Sequence, residues 1–404
     1  MSKAVLLTLG LLGTLSLSTA LAAPLKIKFW HSMEASKEQV QDLADAFNKS
    51  QNEFQILPEV AGDYRTSETK LIAALRSDNA PTIFQAEISF FSKLAADGSL
   101  ADLSSFEKTL DDKFTRDFYS SVWNYGEVNG KRVGLPWNVS TPVLYYNATA
   151  LESRNIKPPK TWDELEEVSK KLTNRASRGF MVMAESWQFE QMVLSRGGNV
   201  VTGDGKPNFT SPEVIDALEQ LSRMVRNKTA TPRNLGETQV AILDFVRTKN
   251  FMVVASSANY PDILPYSVAF KLGVAPMPCD KKCAVPLGGA QLVVLKGASR
   301  KEQEGAFEFW KFLMEPQNLK KWIEFSYYLT PRKSVLPLLK DFYGENPYRK
   351  TAYNQLDESV SRPKVPAYTL WRTYLEEAIE KATKGNVAPR AALEEAQRKA
   401  LSSK

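Results

Sequence analysis

From Lys26 to Ala86 the chain alternates short apolar stretches with amphipathic ones, and this alternation limits the fold more than any other feature. Residues 26–30 read as a strand, and residues 36–49 carry Val40, Leu43 and Phe47 on one helical face. A second strand follows over 54–60, a second helix over 66–77 with Leu71, Ile72 and Leu75 on one face, and Pro81 opens a third strand over 82–86. Strand–helix–strand units need crossover connections, so this segment builds a mostly parallel sheet with helices on both faces, an α/β architecture. Ligands of such sheets sit beyond the carboxyl ends of the strands. The turns at 31–34, 62–64 and 87–89 all leave those ends, which lets their side chains converge.

Helix starts are marked further along. Thr161 with Glu164 and Ser299 with Glu302 have the spacing of capping boxes, and Ser211-Pro212-Glu213 sets a cap residue before a first-turn proline. Helices therefore dominate the middle and end of the chain. Two apolar strands interrupt them, over 251–255 and 291–295, beside the small turns Ser256-Ser257 and Gly288-Gly289. Residues 368–382 and 389–400 read as two final helices, parted by Gly385 and Pro389.

The chain starts with one Lys, an apolar run from Ala4 to Leu21 broken by Gly10 and Gly13, and Ala20-Leu21-Ala22. This is the pattern of a cleaved secretion signal over residues 1–22, so the mature protein is expected to be periplasmic or otherwise exported, and soluble after cleavage. The lack of a cysteine at that cleavage site argues against a lipoprotein. A net charge of +6, with Lys and Arg interleaved among Asp and Glu, gives no nucleic-acid footprint. In an oxidising compartment Cys279 and Cys283, the only cysteines, form a small local disulfide or remain two thiols. His31 is the sole histidine, so neither a zinc site nor any other metal or cofactor is expected.

Catalysis lacks a constellation. The chain has no nucleophile elbow, Walker loop, dinucleotide fingerprint or His-Glu-x-x-His helix, and no catalytic residue is assigned. Glu164, Glu166 and Glu167, like Glu376 and Glu377, fall on helices whose periodicity points them to solvent. Binding has more support. Trp30, Tyr64, Trp137, Trp187, Tyr327, Tyr328 and Trp371 lie in polar, turn-like company, where an amphipathic ring covers the apolar face of a polyol and still donates a hydrogen bond.

Several runs carry a family resemblance: Phe29-Trp30-His31-Ser32-Met33-Glu34, Gly62-Asp63-Tyr64, Asn79-Ala80-Pro81, Ser140 through Asn147, Pro158 through Trp162, Ala255-Ser256-Ser257, Gly288-Gly289-Ala290 and Tyr328-Leu329. The chain resembles the extracellular solute-binding proteins of ABC importers, sugar-binding family, and within it the members that take glycerol phosphate esters. The resemblance implies a two-lobed periplasmic-binding-protein fold of type II, with ligand trapped between lobes that close on it. Crossings near 137–141, 257–265 and Pro316 would give one lobe of residues 24–138 and 262–316 and another of 139–261 and 317–404. It implies a monomer that captures glycerol 3-phosphate or a glycerophosphodiester such as glycerophosphocholine and hands it to a membrane permease complex, without nucleic acid. A neutral oligosaccharide is the alternative ligand.

Carried over residue by residue, the family's site falls on Tyr64, Ser140, Ser257, Gly289 and Tyr328. Its acidic residue falls on Glu87, one position early, and its stacking tryptophan on Trp187. The family's phosphate-binding arginine has three counterparts here. Lys364 takes its place without a gap, Arg372 lies on the following helix in reach of Glu376, and Arg362 is favoured because a guanidinium engages two oxygens at once.

Overall fold

The structure is a computed structural model that describes residues 23–77, 79–234 and 236–403. The secretion signal expected over residues 1–22 lies outside the described residues.

The first segment folds as its periodicity dictates. Strand β1 (Leu25–His31) turns Ile27, Phe29 and His31 inward and Lys26 and Lys28 outward. It pairs in parallel with β2 (Phe54–Val60) from Leu25↔Phe54 to His31↔Val60, and with β3 (Ile83–Glu87) on its other side. Two later pieces complete this sheet: β4 (Leu135–Ser140) and, from much further along the chain, β10 (Gly288–Val294). The strand order is β2-β1-β3-β10-β4, with β10 antiparallel to both neighbours.

A second sheet repeats the plan. It is built from β5 (Pro142–Asn147), β6 (Arg178–Met183), β7 (Ala230–Arg233), β8 (Asn250–Ser256) and β9 (Leu272–Ala275), in the order β9-β5-β8-β6-β7. Only β5 is reversed, against β8 and β9. In each sheet the reversed strand is the one that arrives from the other sheet. Thr141 alone separates β4 from β5, and residues 276–287 join β9 to β10. Both connections run from a carboxyl end to the amino end of a reversed strand, so the carboxyl edges of the two sheets face each other across the crossings.

Packing follows the sheets. Ile27, Phe29, Phe47, Phe307, Trp310 and Trp322 form a core on the first sheet. Trp310 is wholly buried, and its indole N–H donates to Pro136 O at 2.8 Å, so the ring is buried without stranding a donor. Leu144, Phe180, Met192, Leu218, Leu375 and Leu393 form the core of the second lobe. A third cluster runs from Phe84 and Phe91 through Val143 and Tyr145 to Phe245, tying the lobes together behind the crossings.

The sequence boundaries need two corrections. Strand β9, inside the 262–316 stretch assigned to the first lobe, pairs with β5 (Val274↔Tyr145) in the second sheet. The turn at Ser256-Ser257 therefore stays within the second lobe, and the crossing is residues 276–287. Residues 317–343, assigned to the second lobe, pack on the first-lobe core through Leu319, Trp322, Ile323, Val335 and Leu339. Pro316 opens the helix Pro316–Ser326, where its missing N–H leaves nothing unpaired, so it marks a helix start and not a crossing.

Of the cap signals, Ser299 and Glu302 form the reciprocal box. Thr161 accepts from Glu164 N, but the Glu164 carboxylate takes Lys160 N instead of closing the box, and Ser211 makes no side-chain cap. Cys279 and Cys283 are joined as a disulfide. The loop they close is fastened to the second lobe: Asp280 accepts from Trp162 N and pairs with Arg196.

Candidate ligand cleft

Tyr64 enters the cleft from the turn after β2. Gly62 (φ +102°) makes that turn, and Asp63 caps the following helix Tyr64–Arg76 by accepting from Thr66 N at 2.7 Å. The Tyr64 hydroxyl accepts from Gln85 Nε2 at 3.2 Å and lies beside the Tyr328 phenol, which also neighbours Asn138. Burial, with Tyr328 close by, pushes the Tyr64 phenol far above its ordinary range. Gln85 also accepts from Ser32 N at 2.7 Å, so one β3 side chain fixes two of the turns. His31 itself is core. Burial lowers its pKa to about 4, against the pull of Glu34, and its neutral ring accepts from Met33 N.

The reversed strand β10 starts in the cleft with Gly288-Gly289. Gly289 has φ +110°, and a Cβ there would stand 2.0 Å from Asn138 O. A Cβ on Gly288 would meet Trp187 Cζ2 at 2.5 Å and Ser140 Oγ at 2.7 Å. Trp187 and Ser140 thus come together at Gly288, a glycine that sequence reasoning passed over although the Gly-Gly pair signalled it. The Trp187 indole donates to Pro286 O at 3.0 Å, and Glu185 presents that ring by capping the helix Ser186–Ser195 through Trp187 N and Gln188 N. Ser257 is buried beside the β4–β5 crossing. Its N–H donates to Thr141 O at 3.0 Å and its hydroxyl accepts from Thr141 N at 3.4 Å, which clips the β4–β5 crossing.

The other aromatic candidates are structural. Trp137 stacks on Trp322 with centroids 5.2 Å apart, Trp30 donates to Glu59, Trp371 donates to Ser403, and Tyr327 stacks on Tyr260.

Between these two sets lies a buried ion network. Glu87 caps the helix after β3 through Ser89 and receives Arg372 Nη1 at 2.9 Å and Arg362 Nη1 at 3.3 Å. Arg362, 4% exposed, forks onto Glu190 through Nε (3.2 Å) and Nη2 (2.6 Å), and its Nη1 also donates to Ser89 Oγ at 2.7 Å. Tyr368 donates to Glu190 as well. Arg372, 7% exposed, reaches Glu68 at 3.4–3.5 Å, and its Nε has no partner. Burial opposes ionisation of Glu87, but Arg372 and Arg362 outweigh it and hold the carboxyl below its usual range. Burial raises Glu68 and Glu185 to about 7, Arg372 opposing at the first and Glu376 adding at the second.

Several charges thus sit where sequence periodicity did not put them. Glu376 pairs with Arg65 at 2.8 Å and accepts from Ser186, not from Arg372, and both Glu376 and Glu166 are buried. Glu166 pairs with Arg223. The polar stripe of helix Tyr368–Lys384 faces the other lobe, where a buried charge is tolerated because it is paired. Lys364 is exposed and donates to the carbonyls of Asn124 and Glu127. Among the described residues no group of metal-binding side chains occurs, and no helix is long and apolar enough to cross a membrane.

Residues 42–351 match the family model of bacterial extracellular solute-binding proteins. A curated relative, the sn-glycerol-3-phosphate-binding periplasmic protein UgpB of Yersinia pseudotuberculosis serotype I, is 30% identical over 94% of this chain and 92% of its own. The Escherichia coli K12 protein of the same name is 28% identical over 92% and 90%. Among solved structures, UgpB from Mycobacterium tuberculosis in complex with glycerophosphocholine superposes with a TM-score of 0.85 at 22% identity, over 94% of this chain and 98% of that one. The GacH receptor of Streptomyces glaucescens, solved unliganded and with acarbose, superposes with a TM-score of 0.84 at 20% identity, over 95% and 100%. With two alike sheets facing each other across short crossings and a match over most of its length, the chain belongs to the bacterial extracellular solute-binding proteins, the ligand-capturing components of ABC importers.

Proposed function

We propose that this protein captures a glycerol phosphate ester, glycerol 3-phosphate or a glycerophosphodiester, by closing its lobes and delivers it as an exported monomer to a membrane permease complex. The observation that carries the reading is the 30% identity, over nearly the whole chain, to proteins named for glycerol 3-phosphate. The cleft chemistry is consistent with it. Trp187 offers a ring face for the carbon backbone, while Tyr64, Tyr328 and Ser140 offer hydroxyls and Glu87 an acceptor for the glycerol end. The glycines at the start of β10 let backbone approach an anion closely. The arginine roles change from the sequence reading: Arg362 is committed to Glu190, whereas Arg372 keeps a buried N–H at Nε for a phosphate oxygen.

One observation favours a neutral sugar as the second reading: each buried guanidinium already faces carboxylates, so no uncompensated positive charge awaits an anion. A thermal-shift screen of the mature chain separates the two. Glycerol phosphate esters at roughly 100 times their Kd are expected to stabilise the fold by about 2.7 kcal/mol, with maltose inert. Stabilisation by maltose and by no phosphate ester overturns the reading.

A further inference from the structure

The groups that close the cleft do not balance in charge. Glu68, Glu87, Glu185, Glu190 and Glu376 meet there, and the guanidiniums among them are those of Arg65, Arg362 and Arg372. Glu68, Glu190 and Glu376 are buried, and Glu87 and Glu185 are largely covered. Two carboxylates are therefore in excess. A buried carboxylate without a counter-charge gives up its hydration unrewarded and favours its protonated form. An anion entering the same space adds to the excess.

Hydrogen bonds show which carboxylate is held least. Glu190 takes the Arg362 fork at 2.6 and 3.2 Å, Glu376 takes Arg65 at 2.8 Å, and Glu87 takes Arg372 Nη1 at 2.9 Å with Ser89 N and Oγ both at 3.0 Å. Glu185 commits both oxygens to the backbone N–H groups of Trp187 and Gln188. Glu68 has only Arg372 Nη2, at 3.4 and 3.5 Å, among the described residues. The other groups facing it are Tyr64 and Arg65 on its own helix and Glu87 from the turn after β3. Tyr64 stays neutral, Glu87 repels, and Arg65 is paired with Glu376. Arg372 is also the guanidinium whose buried Nε has no partner, so an anion accepting there draws on the charge that Glu68 depends on.

We propose that Glu68 is a proton-carrying member of the binding site, so that capture of a phosphate ester at Arg372 draws one proton from solvent onto the Glu68 carboxylate. The proposal rests on the phosphate-ester reading above. The proton forms an O–H bond on one Glu68 oxygen, and Arg372 is left facing Glu87 and the anion instead of two carboxylates. Burial already lifts Glu68 to about 7, so at about pH 8 the free protein is mostly ionised there, and the arriving anion raises the carboxyl further. Capture is therefore strongest below about pH 7 and weakens as pH rises above it.

Calorimetry in buffers of different ionisation enthalpy counts the protons taken up when glycerol 3-phosphate or glycerophosphocholine binds. At about pH 8 the parent is expected to take up about 0.5–1 proton more than Glu68→Gln with the same ester, a difference that cancels any proton moved by the phosphate itself. Between about pH 7 and 8 the parent should lose about three- to tenfold in affinity and the variant less than about twofold. Glu185→Gln, at the other raised carboxyl, should keep the parent's proton count. Ester binding with equal counts in parent and Glu68→Gln overturns the proposal alone, as does loss of the uptake in Glu185→Gln. An affinity of the parent for glycerophosphocholine that is flat across this span overturns it without any variant. Binding of maltose with no phosphate ester overturns the phosphate-ester reading and the proposal with it.

Discussion

Arg362 and Arg372 stand ten residues apart, are both buried and both bond to Glu87, yet their surroundings give them different capacities. Arg362 sits in the pre-helix segment, with its fork closed on Glu190 and Nη1 donating to Ser89 and Glu87. Arg372, one turn into helix Tyr368–Lys384, holds Glu87 and Glu68 at the edge of the opposite lobe and retains an unpartnered Nε. Formal charge is the same in both. What separates a positioning arginine from a ligand-binding one is the hydrogen-bonding capacity left over, since a buried donor with no partner costs free energy until something accepts from it.

The largest expected effect follows from the closed fork. Arg362→Ala strands Glu190 at 3% exposure and is expected to cost about 3–5 kcal/mol of stability, read by denaturant unfolding. Arg362→Met combined with Glu190→Leu, which removes both charges, should recover most of that loss. An Arg362→Ala protein that unfolds like the parent but no longer binds phosphate esters would invert the comparison and make Arg362 the anion's fork.

A smaller effect is expected at the second arginine. Arg372→Lys keeps a cation opposite Glu87 but removes the Nε donor, so phosphate-ester binding should weaken by about 1.5–3 kcal/mol with little change in melting. Calorimetry showing parent-like affinity would leave the unpartnered Nε without a role in binding.

Sequence reasoning could not have told these two apart. The elements that obey a local period were legible: β2 spans 54–60 as read, and β1, β3 and the last two helices fall within a few residues of their expected ends. The nearness of Tyr64 to Glu87 followed from turns at carboxyl strand ends, and Arg362, like Trp187 with Ser140, came from the resemblance. Lobe membership was not legible, because β9 pairs with a strand more than 100 residues away, and residues 317–343 are ordinary apolar segments that pack both on the preceding helix and on Trp137. Helix periodicity also misled at Glu376 and Glu166. It separates polar from apolar faces, and a polar face looks the same in sequence whether it meets water, a neighbouring helix of its own lobe, as Glu166 meets Arg223, or the other lobe, as Glu376 meets Arg65. The partner of Arg372 was misjudged for that reason: Glu376, four residues on, is the local choice, but Arg65 from the other lobe takes it.

The smallest effect concerns the proton rather than the arginine. Glu68 faces Arg372 and Arg65 as attractive charges and Glu87 as a repulsive one, and burial, the strongest influence, raises it from 4.5 to about 7. A carboxyl raised in the folded state binds its proton more tightly there than in the unfolded chain. Its contribution to stability is therefore fully present below about pH 4.5 and is lost as pH rises through about 7. Glu185, also raised to about 7, has the same sign, while Glu87, held low by both arginines, has the opposite sign at more acid pH. Glu68→Gln carries no such proton, so its melting temperature should fall less than the parent's between pH 4.5 and 7, a shallower slope readable by calorimetry. The parallel slope of parent and variant would mean that Glu68 stays ionised against Arg372 throughout. Arg372 would then be as firmly held by its carboxylates as Arg362 is by Glu190, and the contrast between them would rest on the free Nε alone.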